Sequence, residues 1–307
     1  MTALGIFLRG LLMGAADIVP GVSGGTMAFI TGIYDRLISS IRAVDIEFAR
    51  KVLRFDIKGA WAHVDGNFLL PLALGIATSI LSLARLISWV LENHPVPLWA
   101  FFFGLILASA LVLMRQVDRW TAARIACLVV GTAIALYIGL SAAINFDIGT
   151  LGIFAAGFLA ICAMILPGIS GGFILVLLGM YGPVIEAVKT LDFAFLAVLA
   201  VGCAAGLMCF SRLLHWLLNH YRQATMSLLT GFLFGSLVVV WPWKQVLSFV
   251  ERSDGTLKPV QQVPVTPAEF TAHTAEPAQV MLCAVLMIVG FALVWIIQTR
   301  WSDAPGA

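Results

Sequence analysis

Apolar residues occupy this chain in long blocks separated by short polar breaks. Blocks near the ~20 residues that cross a bilayer as a helix lie at about 68–91, 97–114, 122–142, 193–218, 225–241 and 279–298. Two further blocks, about 4–38 and 150–188, are apolar but broken near the middle. The breaks are PGVSGG at Pro20–Gly25 and PGISGG at Pro167–Gly172, each followed by the same Gly and Tyr, Gly32 and Tyr34, then Gly179 and Tyr181. Each half of a broken block has roughly 15 to 18 residues, short for a span. A helix-breaking loop set twice in apolar sequence points to a duplicated transporter with two broken helices facing one site.

The duplication extends past the loops. The loops are 147 residues apart, whereas a shift of 127 places Arg85 on Arg212, Trp89 on Trp216, Gly104 on Gly231 and Ser109 on Ser236. The difference is an insertion in the first half, about 39–66. There Ile41, Val44, Phe48, Val52 and Phe55 recur at helical spacing beside Arg42, Arg50, Lys51, Arg54 and Lys58. That pattern predicts an amphipathic helix on the membrane surface. The polar stretch 242–278 contains TPAE at Thr266–Glu269, a capping box with Pro at the first helical position, and so a short helix.

Charge placement orients the halves. Re-entrant broken blocks give each half three spans and opposite orientations; spanning ones give eight or more spans in parallel repeats. With the basic insertion cytoplasmic, re-entrant blocks keep Arg115, Arg119, Arg124, Arg222 and Arg300 on the cytoplasmic side, as the positive-inside rule prefers. The expected fold is an all-α polytopic membrane protein, repeat 1 at 1–147 and repeat 2 at 148–307. Each repeat has one re-entrant hairpin plus three transmembrane helices, the repeats are inverted, and both termini are cytoplasmic. Composition agrees: 61% of the 307 residues are hydrophobic and 11% charged, against roughly 25% charged in soluble domains. A net charge of +2 gives no reason to expect nucleic acid. Arg9 interrupts the first apolar run, so no cleaved signal peptide is expected.

Glycine loops at membrane depth present backbone N–H groups without side chains in the way, which suits an anion. The candidate phosphate-binding residues are Gly21, Ser23, Gly24, Gly25 and Thr26 in the first loop and Gly168, Ser170, Gly171 and Gly172 in the second. Position 173 is Phe, so Thr26 has no twin. Close helix packing is the competing reason for such glycines. Arg85 and Arg212 join the candidates, because an arginine inside a span costs at least ~2.5 kcal/mol and its guanidinium matches phosphate. Asp17 is a candidate for proton coupling or for capping the loop. Tyr34 and Tyr181 are candidates for gating or packing, Glu186 for coupling or an interfacial position, and His215 for a phosphate partner or a structural one. Arg9 and Arg36 are expected at headgroup level. The five cysteines lack metal-ligand spacing, and no catalytic set, metal site or cofactor motif is found.

The segments GAADIVPGVSGGTMAFITGIYDRLI (Gly14–Ile38) and ILPGISGGFILVLLGMYGPVI (Ile165–Ile185) resemble the prokaryotic polyprenyl-phosphate transporter family, and the resemblance covers nearly the whole chain. It implies a flippase that returns undecaprenyl phosphate to the cytoplasmic leaflet of a bacterial inner membrane during envelope polysaccharide synthesis. The residues it carries over are the two glycine loops; the arginines come from the repeat alone. The implied partners are the lipid substrate and the bilayer, with a proton or sodium ion as a plausible coupling partner and the oligomeric state open. The alternatives are an anion channel or small-anion exporter, and a membrane-embedded lipid phosphatase.

Overall fold

The structure is a computed structural model that describes residues 1–18, 23–141, 149–251 and 257–302. The first half holds α1 (Ala3–Ile18), α2 (Gly24–Ile30), α3 (Tyr34–Arg42), α4 (Ile46–Leu53), α5 (Ile57–His63), α6 (Gly66–Asn93), α7 (Pro95–Arg115) and α8 (Ala122–Leu140). The second holds α9 (Thr150–Ile165), α10 (Gly171–Leu177), α11 (Tyr181–Thr190), α12 (Phe193–His220), α13 (Arg222–Ser236), β1 (Lys244–Glu251), β2 (Leu257–Pro264), α14 (Pro267–Thr274) and α15 (Val280–Ser302). Shifting by 147 carries α1 and α2 onto α9 and α10, and Tyr34 at the start of α3 onto Tyr181 at the start of α11; shifting by 127 carries α6 onto α12 and the start of α7 onto that of α13.

The chain is mostly helical, and among the described residues four helices are long and apolar enough to cross a membrane, or five if the bent pair α10 and α11 counts as one. It is a multi-pass membrane protein. α9 is apolar but shorter, at 16 residues, and α15 is apolar over Val280–Ile296. The broken blocks are broken as expected, with α10 and α11 meeting at 106°.

Glycines set how the helices pair. A Cβ at Gly10 would strike the Leu72 carbonyl, and one at Gly14 the Ile76 carbonyl and Ser79. Contacts therefore advance together along α1 and α6, and the two helices run parallel. The same reasoning makes α9 and α12 parallel, through Gly202 on Phe154 and Gly206 on Phe158, and α8 and α13 parallel, through Gly231 on Leu128 and Gly235 on Thr132. α7 and α15 also run parallel: Val96 and Ala100 cluster with Ala278 and Cys283, and further along both helices Arg115 lies 4.4 Å over the Trp295 ring. Small residues permit this close approach where lipid supplies no hydrophobic drive between helices.

Two insertions differ from expectation. The basic stretch forms two helices, not one. Phe55 adopts a left-handed φ of 58°, and Asp45 and Asp56 each start a helix by accepting from Phe48 N and Gly59 N, both at 2.9 Å. Their apolar residues Ile46, Leu53, Phe55 and Ile57 are exposed. The 242–278 stretch carries the expected capping box on α14, but also an antiparallel hairpin, β1 with β2. The hairpin was hidden because neither strand shows a clear alternation and β2 contains two prolines, Pro259 and Pro264. Trp243, Phe270 and Ala278 pack this insertion onto Val96 and Ala100 of α7 and Cys283 of α15. Trp241 and Trp243 donate to the carbonyls of Val265 and Ala278 at 2.9 and 2.8 Å.

Candidate functional site

The two glycine loops meet. Ser23 Oγ donates to the carbonyls of Met164 and Leu166 at 3.1 and 3.3 Å, and Tyr34 donates its hydroxyl proton to the Ile165 carbonyl at 3.1 Å. Gly168 N donates to Thr26 Oγ1 at 3.0 Å. The start of α2 thus closes on the carbonyls that the end of α9 leaves without intrahelical partners. Ser23, Thr26 and Tyr34 are all buried. Thr26 needs no twin because it serves the junction once.

The loops spend their donors differently. In the first, Gly24 N donates to Asp17 Oδ1 at 2.6 Å and Gly25 N to Ser23 Oγ at 3.1 Å. Asp17 is therefore the cap of its own loop, and Met164 at the matching position supplies no such cap. In the second loop Gly168 turns with φ of +86°, where a side chain is strained. Ser170 makes no side-chain cap bond. Among the described residues the N–H groups of Gly171 and Gly172 have no hydrogen-bond partner. This loop faces a small pocket between α8 and α13, lined by Ala135, Gly139, Ser170, Phe173, Ser236 and Val239. Ser236 was noted in the sequence only as the repeat partner of Ser109. The structure sets it against Gly168, where an added Cβ would lie 3.1 Å from Ser236 Oγ. Gly21 lies outside the described residues.

Among the described residues neither Arg85 nor Arg212 has a hydrogen bond to a glycine loop. Gly157 lies against Leu199 and Cys203, and Gly206 against Phe158; Arg212 follows further along α12. Gly10 and Gly14 lie against Gly75 and Ser79 of α6, and Arg85 follows further along that helix. Each arginine is thus on the helix paired with the one that leads into a glycine loop, Arg85 on α6 beside α1 and Arg212 on α12 beside α9, with its side chain exposed. Arg212 donates to the carbonyls of Met208 at 2.7 Å and Val44 at 3.4 Å. Arg85 has no hydrogen-bond partner among the described residues.

The remaining candidates separate. His215 Nδ1 lies 3.5 Å from Ser39 Oγ on α3, away from the glycine loops. Glu186 is exposed on α11 and Tyr181 half-buried. One expectation is corrected: Arg9 is buried and donates to the Thr31 carbonyl at 3.2 Å, pinning the end of α2, so it is not an exposed anchor. Arg36 pairs with Asp65 at 2.7 Å and lies over Phe68. Burial penalises an arginine unless carbonyls take its protons, and a break that exposes such carbonyls is invisible to periodicity. All five cysteines are free thiols. Among the described residues no group of three His, Cys, Asp or Glu side chains is placed to hold a metal ion.

Comparison with known proteins accords with this architecture. Residues 13–258 match the VCA0040-like family, described as undecaprenyl phosphate translocase-like. A polyprenyl-phosphate transporter of Vibrio cholerae serotype O1 is 46% identical over 294 residues, 96% of each chain. A polyprenyl-phosphate transporter of Staphylococcus aureus is 34% identical over 253 residues, 76% of this chain and 85% of the relative. No solved structure matches. The names of family and relatives are those of transporters, not enzymes. This chain belongs to the VCA0040-like, undecaprenyl phosphate translocase-like family of membrane transporters.

Proposed function

We propose that this protein carries polyprenyl phosphate, undecaprenyl phosphate in a bacterium, from the outer to the cytoplasmic leaflet of the inner membrane. The returned carrier then re-enters envelope polysaccharide synthesis. The observation that carries the reading is the junction of the two broken helices: the first loop commits its donors to Asp17, to Ser23 and across the junction, and the other leaves Ser170 and two glycine N–H groups uncommitted beside a pocket. The relatives' names supply the lipid. A phosphate in hydrocarbon without such donors costs several kcal/mol or more. The prenyl tail can remain in lipid while only the headgroup crosses. Arg85 and Arg212, exposed on the helices paired with α1 and α9, suit a headgroup arriving sideways from the bilayer.

The parallel pairs support oppositely oriented re-entrant hairpins. α1 and α6 point the same way, so the chain between them returns to the side where α1 began. α9 and α12 require the same return on the other side. Four parallel pairs and the short turns between α6, α7 and α8 and between α12 and α13 support a topology with both termini on one face, and the positive-inside preference of the basic residues favours the cytoplasmic one. We assign Asp17 to capping and no residue to a coupling ion.

The test is reconstitution in liposomes with a polyprenyl phosphate whose headgroup accessibility reports its leaflet. Wild type should equalise the leaflets, and Arg85→Ala and Arg212→Ala should slow it about tenfold or more, the worth of a charge-assisted hydrogen bond. Wild type that moves no lipid overturns the assignment, and variants at full rate overturn the arginine role. Anion flux without lipid movement would indicate a channel. Phosphate released from polyprenyl pyrophosphate would indicate a phosphatase.

A further inference from the structure

The halves match in their elements but not in their contacts. α3 packs along α12. There Ser39 Oγ lies 3.5 Å from His215 Nδ1, Arg212 Nη2 reaches the Val44 carbonyl at 3.4 Å, and Asp35 pairs with Arg222 at the start of α13 at 2.9 Å. The shifts that superpose the halves turn this contact into α11 against α6. Among the described residues those two helices have no comparable packing, and α11 lies against α12 instead. Gly182 stands at the position equivalent to Asp35, and a Cβ there would meet nothing within 4 Å. Arg85, equivalent to Arg212, is exposed.

Duplicated elements carry duplicated packing surfaces. When one copy is satisfied and the other is not, the arrangement has a second state in which the roles exchange. We infer that the α3–α12 contact is a closed gate on the cytoplasmic side, and that α6 and α11 form its open counterpart on the outer side. In the exchanged state Arg85 donates to the Leu191 carbonyl as Arg212 now does to that of Val44. Glu186, at the position of Ser39, then comes within a turn of Arg85 on α6 and pairs with it. The arginine on the closed side is thus engaged with carbonyls, while the one on the open side is available to a headgroup. The inference rests on the opposite orientation of the two hairpins proposed above.

Two cysteine pairs test it in a cysteine-free protein in proteoliposomes, using a short bifunctional thiol reagent that can be cleaved. Asp35→Cys with Arg222→Cys reads the inner gate; Gly182→Cys with Pro95→Cys reads the outer one. None of these positions touches the glycine loops. The inner pair should crosslink at rest, and the outer pair should gain crosslinking several-fold when polyprenyl phosphate is supplied. Each crosslink should cut transport more than tenfold, with cleavage restoring it. An inner pair that transports at full rate while crosslinked, or an outer pair that never crosslinks during turnover, overturns the gate. Single cysteines at 35 and 182, labelled from each side with an impermeant thiol reagent, separate the two readings. Labelling from one common side defeats the inverted arrangement and the gate with it; opposite sides with no exchange of crosslinks defeats the gate alone. Crosslinking is read on a gel and does not depend on transport.

Discussion

Gly25→Ala probes the junction of the loops directly. Gly25 is buried, and a Cβ there would sit 2.7 Å from the Ile165 carbonyl oxygen and 3.2 Å from Ser23 Oγ. The first distance is 0.7 Å inside the 3.4 Å at which ordinary contact begins, and the obstacle is backbone that cannot rotate away. To relieve it α2 must lift from the end of α9. The same carbonyl accepts from Tyr34, its neighbours Met164 and Leu166 accept from Ser23, and Thr26 holds Gly168 N. Each such bond contributes about 0.5–1.5 kcal/mol net, and overpacking costs about 1–3 kcal/mol. Replacing a helical glycine returns up to ~1 kcal/mol. The balance is a loss of about 1–3 kcal/mol concentrated at the site. Thermal unfolding in detergent and the initial rate of lipid movement in proteoliposomes measure it. The midpoint should fall and the rate should drop about tenfold or more. Gly182→Ala, whose Cβ meets nothing, is the control for stability and should keep the wild-type midpoint. A Gly25→Ala protein with the wild-type midpoint and rate would refute the claim that the junction is tightly closed.

Thr26→Val keeps the side-chain shape but leaves Gly168 N–H without an acceptor, which should cost about 1–3 kcal/mol in thermal unfolding, while Thr26→Ser should stay near wild type. Asp17→Asn keeps an oxygen for Gly24 N and should retain transport within a few-fold, whereas Asp17→Ala should lose it; an Asn variant as inactive as Ala, with a flat pH–rate profile, would show that the carboxyl carries a proton instead of capping. Lys244 Nζ donates to the Val239 carbonyl and lies 3.6 Å over Trp99, and burial pushes its pKa down from 10.5 to about 7. The docked insertion then binds fewer protons than the undocked one between those values, so docking should strengthen as pH rises from about 7 to 10, by up to ~1.4 kcal/mol per unit; hydrogen exchange over β2 should show this in wild type and lose it in Lys244→Met.

Much of the architecture was legible because lipid imposes a coarse rule: backbone polar groups must be satisfied within helices, so apolar length and helix breakers show directly. The blocks at 68–91, 97–114 and 193–218 became α6, α7 and α12 with ends displaced by about two residues. The site was legible only as two loops. Which one was already occupied depended on Asp17, Ser23 and Thr26 finding partners up to 143 positions away in sequence, a matter no local pattern records. The arginines were legible as a pair from their cost in a span, but not which neighbours their side chains meet, such as the Val44 carbonyl for Arg212. A helix face is set by which neighbour it meets, and the neighbours here are chosen by glycine contacts between helices far apart in sequence. Arg9 was misplaced for the same reason, since its acceptor at Thr31 exists only once α2 folds back onto α1.

The sequence by itself determined the duplication, the breaks and the lipid environment, because each is written in residue type along a single segment. The tertiary structure decided how the first loop closes on the end of α9, where Arg9 is buried and how the two polar stretches fold. Those depend on packing between segments far apart in the chain, which no local pattern of residue types records.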